Sequence, residues 1–295
     1  MSQTIARPIL SAHALQFVYP YGTSAISGLS LDIAEGTIVG LLGVNGSGKT
    51  TLLRLLMRLL KPSEGCVCLE GRDIQNMQAR ELYRRIGLLF QNPADQLFAA
   101  SVERDVAFGP QRLGLDNGEI SDRVEEALAA VDAWDLRHRE VHQLSYGQQK
   151  RVALAGVLAM EPSILLLDEP TGGLDPTAES QMVRLLLQLN RERGATLVFS
   201  THNVDLLPVL ADRLCVLRDG QVIEEGTPAE VFFDPDSIAR AGLRLPLITQ
   251  LFDGLVDDAP ELRSPLPLTV EQGRRRILDW IAEVRTAAQR LGERP

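Results

Sequence analysis

The stretch "TIVGLLGVNGSGKTTLLRLL", residues 37–56, decides the fold. It opens on a run of Ile, Val and Leu dense enough for a strand buried on both faces. It then passes through Gly43, Gly46 and Gly48 and continues as leucines repeating at three and four, the spacing of a helix with one apolar face. Gly43, Gly48, Lys49 and Thr50 satisfy G-x-x-x-x-G-K-[ST], in the strand-to-helix setting where that pattern has a physical meaning. Glycines let backbone N–H groups curl around phosphate oxygens with no Cβ in the way, and the helix N-terminus adds partial positive charge. The whole loop, Gly43, Val44, Asn45, Gly46, Ser47, Gly48, Lys49, Thr50 and Thr51, is therefore a candidate nucleotide-phosphate cradle. Lys49 is placed to reach the terminal phosphates and the Thr50 hydroxyl to ligate Mg²⁺.

Outward from this loop the same grammar repeats. "SILLLD" (163–168), "TLVFS" (196–200) and "RLCVL" (213–217) read as further buried strands. Helical patterns begin at Thr50, Gly147 and Glu179, and strands alternating with helices predict an α/β sheet covered on both faces. Residues 9–36 and "EGCVCLEGRD" (64–73) carry the turns and alternation of antiparallel strands. Residues of about 92–161 read as mostly helical, with loops such as "GLDNGE". After about Pro235 the character changes. An amphipathic segment, a Pro-rich acidic loop "VDDAPELRSPLPL" and a helical "TVEQGRRRILDWIAEVRTAAQRL" predict a small extension over 236–295, following a main domain over 1–235.

"ILLLDEPTGGLD" ends an apolar strand in two carboxylates. Within the sheet that carries the phosphate loop, Asp168 is a candidate metal ligand and Glu169 a candidate base for a water near the γ-phosphate. In "LSYGQQKRVALAGVLAM", Ser145 and Gln148 have the spacing of a helix capping box, and Gly147 leaves the helix start open to an anion.

Together and in this order the motifs resemble those of the ATP-binding-cassette (ABC) ATPases, over about residues 8–235. The resemblance implies a P-loop NTPase with a RecA-like core, an N-terminal antiparallel β-subdomain and a helical signature subdomain. Lys49 and Thr50 match Walker A; Asp168 and Glu169 match the Walker B aspartate and catalytic glutamate. Gln91 in "LLFQNP" matches the Q-loop glutamine, which in the family touches Mg²⁺ and senses the membrane partner. Asp175 in "GGLDP" matches the D-loop, and His202 in "STHN" the switch histidine at the γ-phosphate. Ser145, Gly147 and Gln148 match the signature that caps ATP held by the opposite subunit, with Tyr146 standing where Gly is usual. Tyr19 in "QFVYPYG" is the expected adenine-stacking aromatic, and Tyr21 its rival.

"FVYPYGTSAISGLSLDI", "GLLFQNPADQLFAASVERDVAFGP" and "LAGVLAMEPSILLLDEPTGGLDP" are similar, more narrowly, to the ATPases of energy-coupling-factor transporters, closest to the cobalt and nickel uptake branch. That resemblance implies ATP and Mg²⁺ as ligands and a second ATPase copy as partner. It also implies a transmembrane coupling protein docked near residues 92–112, and a metal-specific membrane subunit. Both halves of a composite site are present in this chain, so a homodimer is expected, whereas vitamin-importing relatives commonly pair two different ATPases. In the family the C-terminal extension often joins the dimer interface. Ile277, Trp280, Ile281 and Val284 at helical spacing suit that role here.

Composition narrows the rest. The chain has 295 residues, 45% hydrophobic and 23% charged, with a formal net charge of −9. Such acidity disfavours non-specific nucleic-acid binding. A soluble ABC protein acting on DNA would need a coiled coil between Lys49 and Asp168, and that span has no room for one. A ribosome-associated member would usually carry two cassettes. A GTP switch would need Asn-Lys-x-Asp, which is absent. The basic run Arg274–Arg276 reads as a solvated helix face. Cys66, Cys68 and Cys215 form neither a CxxC pair nor a disulfide framework and read as small, inert strand residues. Neither "MSQTIARPILSAHALQF" nor any later stretch has the apolar length of a signal or a membrane span, so a peripheral protein on the cytoplasmic face is expected.

Overall fold

The computed structural model describes residues 8–234, 238, 239, 241–255, 259 and 265–292. The chain runs from β1 (Leu10–Val18) and β2 (Ser24–Ile33) through β3 (Ile38–Leu42) into α1 (Lys49–Leu56). Next come β4 (Glu64–Leu69), β5 (Arg72–Asp73), α2 (Ala79–Arg85) and β6 (Ile86–Leu89), then the helices α3 (Val102–Arg112), α4 (Asn117–Ala130) and α5 (Tyr146–Leu158). β7 (Ile164–Asp168), α6 (Pro176–Arg193), β8 (Thr196–Thr201), β9 (Arg213–Arg218) and β10 (Gln221–Gly226) complete the main sheet.

Two sheets result. β2-β1-β4-β5 is antiparallel, and β10-β9-β3-β8-β7-β6 is parallel except for β10 at its edge. Every residue of β3, β6, β7 and β8 is buried. Alternate side chains feed two cores. Leu165, Leu167, Leu197 and Phe199 join the helical side, whereas Ile164, Leu166 and Val198 join α1 and the antiparallel sheet. A strand buried on both faces shows no polar alternation, and that is why these runs are so uniformly apolar. β10, half exposed along its length, carries little such signal.

The helical region contains one departure from the sequence reading. "GLDNGE" is not all loop: Asn117, Gly118 and Glu119 form the first turn of α4. Asp116 Oδ1 accepts from the N–H groups of Gly118 (2.8 Å) and Glu119 (3.0 Å), while Glu119 reaches back to the Asp116 N–H at 3.3 Å. This reciprocal cap outweighs the weak helix propensity of Asn and Gly.

Beyond Pro235, Ile238, Ala241 and Leu245 are buried in the same cluster as the main sheet, and Arg244 pairs with Asp205 at 2.6 Å. The Pro-rich loop lies largely outside the described residues. Helices Leu247–Leu255 and Val270–Gly292 close a separate small cluster in which Phe252 is covered by Ile248, Ile277 and Trp280. Two residues of the proposed dimer face, Ile277 and Trp280, are thus used within the extension, while Val284 is 49% exposed. Arg274 and Arg275 pair with Glu271 on their own helix, on an exposed face.

Asp116→Ala removes the cap of α4 and is expected to cost about 1 kcal/mol of stability, read as a lower urea midpoint at unchanged m-value.

Candidate active site

In an open parallel sheet, ligands meet the carboxyl ends of the strands, where the loops diverge. Here those ends bound a cleft of about 430 Å³ lined by Tyr19, the Asn45–Thr51 loop side, Gln91, Asp168 and Glu169. The cleft unites residues from four separate parts of the chain.

The loop is shaped by Gly48, the N-cap of α1, at φ 106°. A Cβ on Gly48 would lie 2.6 Å from the Ala25 carbonyl oxygen, so neither the conformation nor the space admits a side chain. The first-turn N–H groups of α1 have no carbonyl one turn back and face the cleft end. Lys49 is buried, its Nζ donating to the carbonyls of Gly43 (2.8 Å) and Val44 (3.1 Å). Burial lowers its pKa, and the carboxylates of Glu169 and Asp168 oppose that shift. The Ser47 hydroxyl is buried with no partner among the described residues.

Tyr19 and Tyr21 separate cleanly. Tyr19 lines the cleft, shares a hydrogen bond of 3.1 Å with the Thr51 hydroxyl and meets Phe17 edge-on at 4.9 Å. Tyr21 stands 97% exposed and away from it.

The carboxylates are held from β8. Asp168 pairs in register with Ser200, whose hydroxyl donates to Asp168 Oδ1 at 2.6 Å and accepts from the Glu169 N–H at 3.0 Å. Glu169 adopts φ 49°, a left-handed conformation that costs a non-glycine residue energy and survives only where its neighbours hold it. Its Oε1 is 3.0 Å from His202 Nδ1, and its Oε2 is buried with no partner among the described residues. Sequence reading missed Ser200. The signal was present, since a hydroxyl ending a fully apolar strand has to bond something.

Ser145, Gly147, Gln148 and Asp175 do not line this cleft. Ser145 and Gln148 cap α5 reciprocally, the Gln148 N–H donating to Ser145 Oγ and the Ser145 N–H to Gln148 Oε1. Asp175 caps α6 through the N–H groups of Thr177 and Ala178. Tyr146 is tied to its surroundings: its hydroxyl donates to the Gln91 carbonyl at 3.3 Å, and its ring lies against Gly173, where a Cβ would sit 2.8 Å away.

Beside the cleft, a second and apolar groove of about 810 Å³ is lined by Tyr83, Phe90, Phe98, Phe108, Leu113 and Met160 among others. Phe98 is 66% exposed, and the buried Asp105 fixes its loop by accepting from the N–H groups of Phe98 and Ala99. The 92–112 segment supplies only part of this groove. Tyr83, Phe90 and Met160 come from elements that carried no such expectation.

The thiols lie outside both sites. Cys66 and Cys68 face each other at 3.9 Å, and burial pushes Cys68 up to about 11 and Cys215 up to about 12. For Cys68 and Cys215 that direction favours the thiol over the nucleophilic thiolate.

A model of the ABC transporter family matches residues 26–172. The energy-coupling factor transporter ATP-binding protein EcfA of Methanococcus maripaludis is 43% identical over 275 residues, 92% of this chain and 98% of that one. The chain belongs to this family of ABC ATPases. Among solved structures, cbiO1 of Clostridium perfringens, described as part of the ABC transporter complex cbiONQ, is 40% identical with a TM-score of 0.71, covering 84% of this chain and 99% of its own. A dimeric post-hydrolysis cassette, MJ0796 bound to ADP and Pi, is 30% identical with a TM-score of 0.68, covering 74% and 98%. As an energy-coupling-factor ATPase the protein binds ATP and hydrolyses it to drive transport. Its described helices include none long and apolar enough to cross a membrane.

The placement of the two tyrosines sets an expectation for this ATPase. Tyr19→Ala is expected to weaken ATP binding roughly ten-fold, as loss of an aromatic stacking contact does, while Tyr21→Ala leaves affinity unchanged; equilibrium titration with a fluorescent ATP analogue distinguishes them.

Proposed function

We propose that the protein is the ATP-hydrolysing motor of an importer for cobalt or nickel ions, working as a homodimer on the cytoplasmic face of the membrane. The observation that carries the motor reading is the pairing of two sites on one short piece of backbone. A cleft with phosphate-binding and carboxylate groups adjoins an apolar groove suited to a protein helix. The cobalt or nickel reading rests on the resemblance of "GLLFQNPADQLFAASVERDVAFGP" and its companion segments to that uptake branch.

In this reading Lys49, the 43–51 loop and the α1 N-terminus hold the phosphates, and Tyr19 stacks on adenine. Asp168, Thr50 and Gln91 offer hard oxygen donors of the kind Mg²⁺ prefers, and the unpartnered Glu169 Oε2 leaves that edge of the cleft free to meet a polar ligand. Mg²⁺ there would neutralise charge on the phosphates. Glu169 takes a proton from the attacking water as the bond between the γ-phosphorus and ADP breaks, and His202 orients its carboxylate. Ser145, Gly147 and Gln148 of a second copy complete the site across the dimer, with Asp175 near the same seam. The exposed remainder of the C-terminal helix, including Val284, adds to that contact. The groove receives a cytoplasmic helix of a transmembrane coupling protein, which a metal-specific membrane subunit accompanies. Nucleic acid has no part in it.

Co-expressed with the membrane components encoded beside it, the wild-type protein is expected to support uptake of radiolabelled cobalt that nickel competes away. Lys49→Ala abolishes uptake by loss of phosphate binding, and Glu169→Gln abolishes it by a drop in kcat of roughly 10²–10⁴-fold with ATP binding kept. Normal ATP hydrolysis with entry of neither metal would overturn the cobalt or nickel reading in favour of a vitamin or other cargo. Phe98→Asp, which charges the groove and leaves the cleft alone, is expected to uncouple the two, retaining ATP hydrolysis while uptake fails.

A further inference from the structure

One of the large, fully buried side chains among the described residues is a lysine. Lys150 lies on α5, one turn beyond the start of that helix, and is 0% exposed. Its Nζ donates to the carbonyl of Glu169 at 2.6 Å and to that of Gly172 at 2.8 Å, and stands 5.6 Å from the centre of the Tyr146 ring. An apolar side chain of similar length would fill this space without the desolvation cost of an ammonium group. That cost shows in the lysine itself: burial lowers its pKa to about 8, against the pull of the Glu169 and Asp168 carboxylates. A buried charge kept under such conditions points to what its donors hold.

What they hold is the turn with the costliest backbone in the site. Glu169 is left-handed at φ 49°, and Gly172 closes its turn by donating its N–H to the Glu169 carbonyl at 3.1 Å. On its amino side the Glu169 peptide is fixed by Ser200 Oγ, and on its carbonyl side by Lys150. Without Lys150 the Gly172 carbonyl loses its side-chain donor and the Glu169 carbonyl keeps only the Gly172 N–H.

We propose that Lys150 is a positioning residue for hydrolysis: its ammonium fastens the Glu169–Gly172 turn to the helix that begins at Ser145, and so sets where the Glu169 carboxylate stands over the cleft. The consequence reaches across the dimer. α5 presents Ser145, Gly147 and Gln148 to the nucleotide of the opposite copy, whereas Glu169 serves the nucleotide of its own. A lysine joining the two makes the end of the helix that caps one ATP and the turn that hydrolyses the other move as one body. Tyr146 reinforces the join from above, with its ring on Gly173 and its hydroxyl on the Gln91 carbonyl. This inference rests on the reading of Glu169 as the group that activates water.

The test uses the full-length protein and compares steady-state ATP hydrolysis, equilibrium ATP binding and single-turnover hydrolysis in wild type, Lys150→Met, Glu169→Gln and the double variant. Lys150→Met keeps the volume and removes the donors. It is expected to lower kcat roughly ten- to hundred-fold, the size of effect that misplacing a catalytic group by about 1 Å produces. KM and the ATP dissociation constant should stay within about two-fold. In the Glu169→Gln background the same substitution should lower the residual single-turnover rate no further, since the group it positions is already disabled. A Lys150→Met protein that binds ATP normally with kcat within two-fold of wild type would overturn the proposal. So would a parallel loss of binding and turnover, which marks a merely structural role, or a full further loss in the double variant. Wild-type turnover in Glu169→Gln would instead overturn the assignment of Glu169.

Discussion

The parallel register of β3, β8 and β7 is the constraint on which the site depends. Leu42 pairs with Thr201 and Asp168 with Ser200, so three strands end level with one another. A slip of one residue in a strand buried on both faces would exchange its two sets of side chains between the helical core and the core around α1. Leu165 and Leu167 would trade places with Ile164 and Leu166, and Asp168 would lose the hydroxyl of Ser200. The packing of the two cores therefore fixes the level at which the phosphate loop, the carboxylates and His202 emerge. No loop contact is needed to bring them together.

Two buried lysines then organise what emerges. Lys49 on α1 and Lys150 on α5 approach the same pair of carboxylates from opposite sides of the sheet, since their helices belong to different cores. Each satisfies its donors on backbone carbonyls: Gly43 and Val44 for one, Glu169 and Gly172 for the other. Desolvation works against both charges, and Asp168 and Glu169 work for them. The site is in effect a small lattice of two cations and two anions in which the backbone carries much of the compensation.

Much of this could be read in the sequence, and the boundary of what could is physical. The phosphate loop, the Walker B strand and the helix cap at Ser145 are local: each is a pattern whose residues touch one another or one backbone turn, and spacing alone encodes that. Tyr19 is preferred to Tyr21 on resemblance alone, because both lie in the connection between β1 and β2, whose direction is set by pairing of those strands. Lys150 and the contacts of Tyr146 were invisible for a related reason. Their partners lie in turns far along the chain, and nothing in a helical pattern marks Lys150 rather than Arg151 as the buried one. The groove was half legible: an aromatic such as Tyr83 reads as core until the fold leaves one side of it open.

The groove and the cleft are neighbours through a single peptide. Just beyond β6, Phe90 lines the groove and its neighbour Gln91 lines the cleft. Gln96 braces this point by accepting from the Phe90 N–H at 3.1 Å and donating to the Ala153 carbonyl on α5 at 2.7 Å. Tyr146, also on α5, donates to the Gln91 carbonyl. A helix seated in the groove as proposed would press on a backbone already tied at two places to α5, whose Lys150 holds the Glu169 carbonyl. Interiors packed this tightly shift by moving elements rather than by compressing them. In the proposed function, motion at the groove would reach Gln91 and the Glu169 turn together, and hydrolysis at the cleft would have the same short route back.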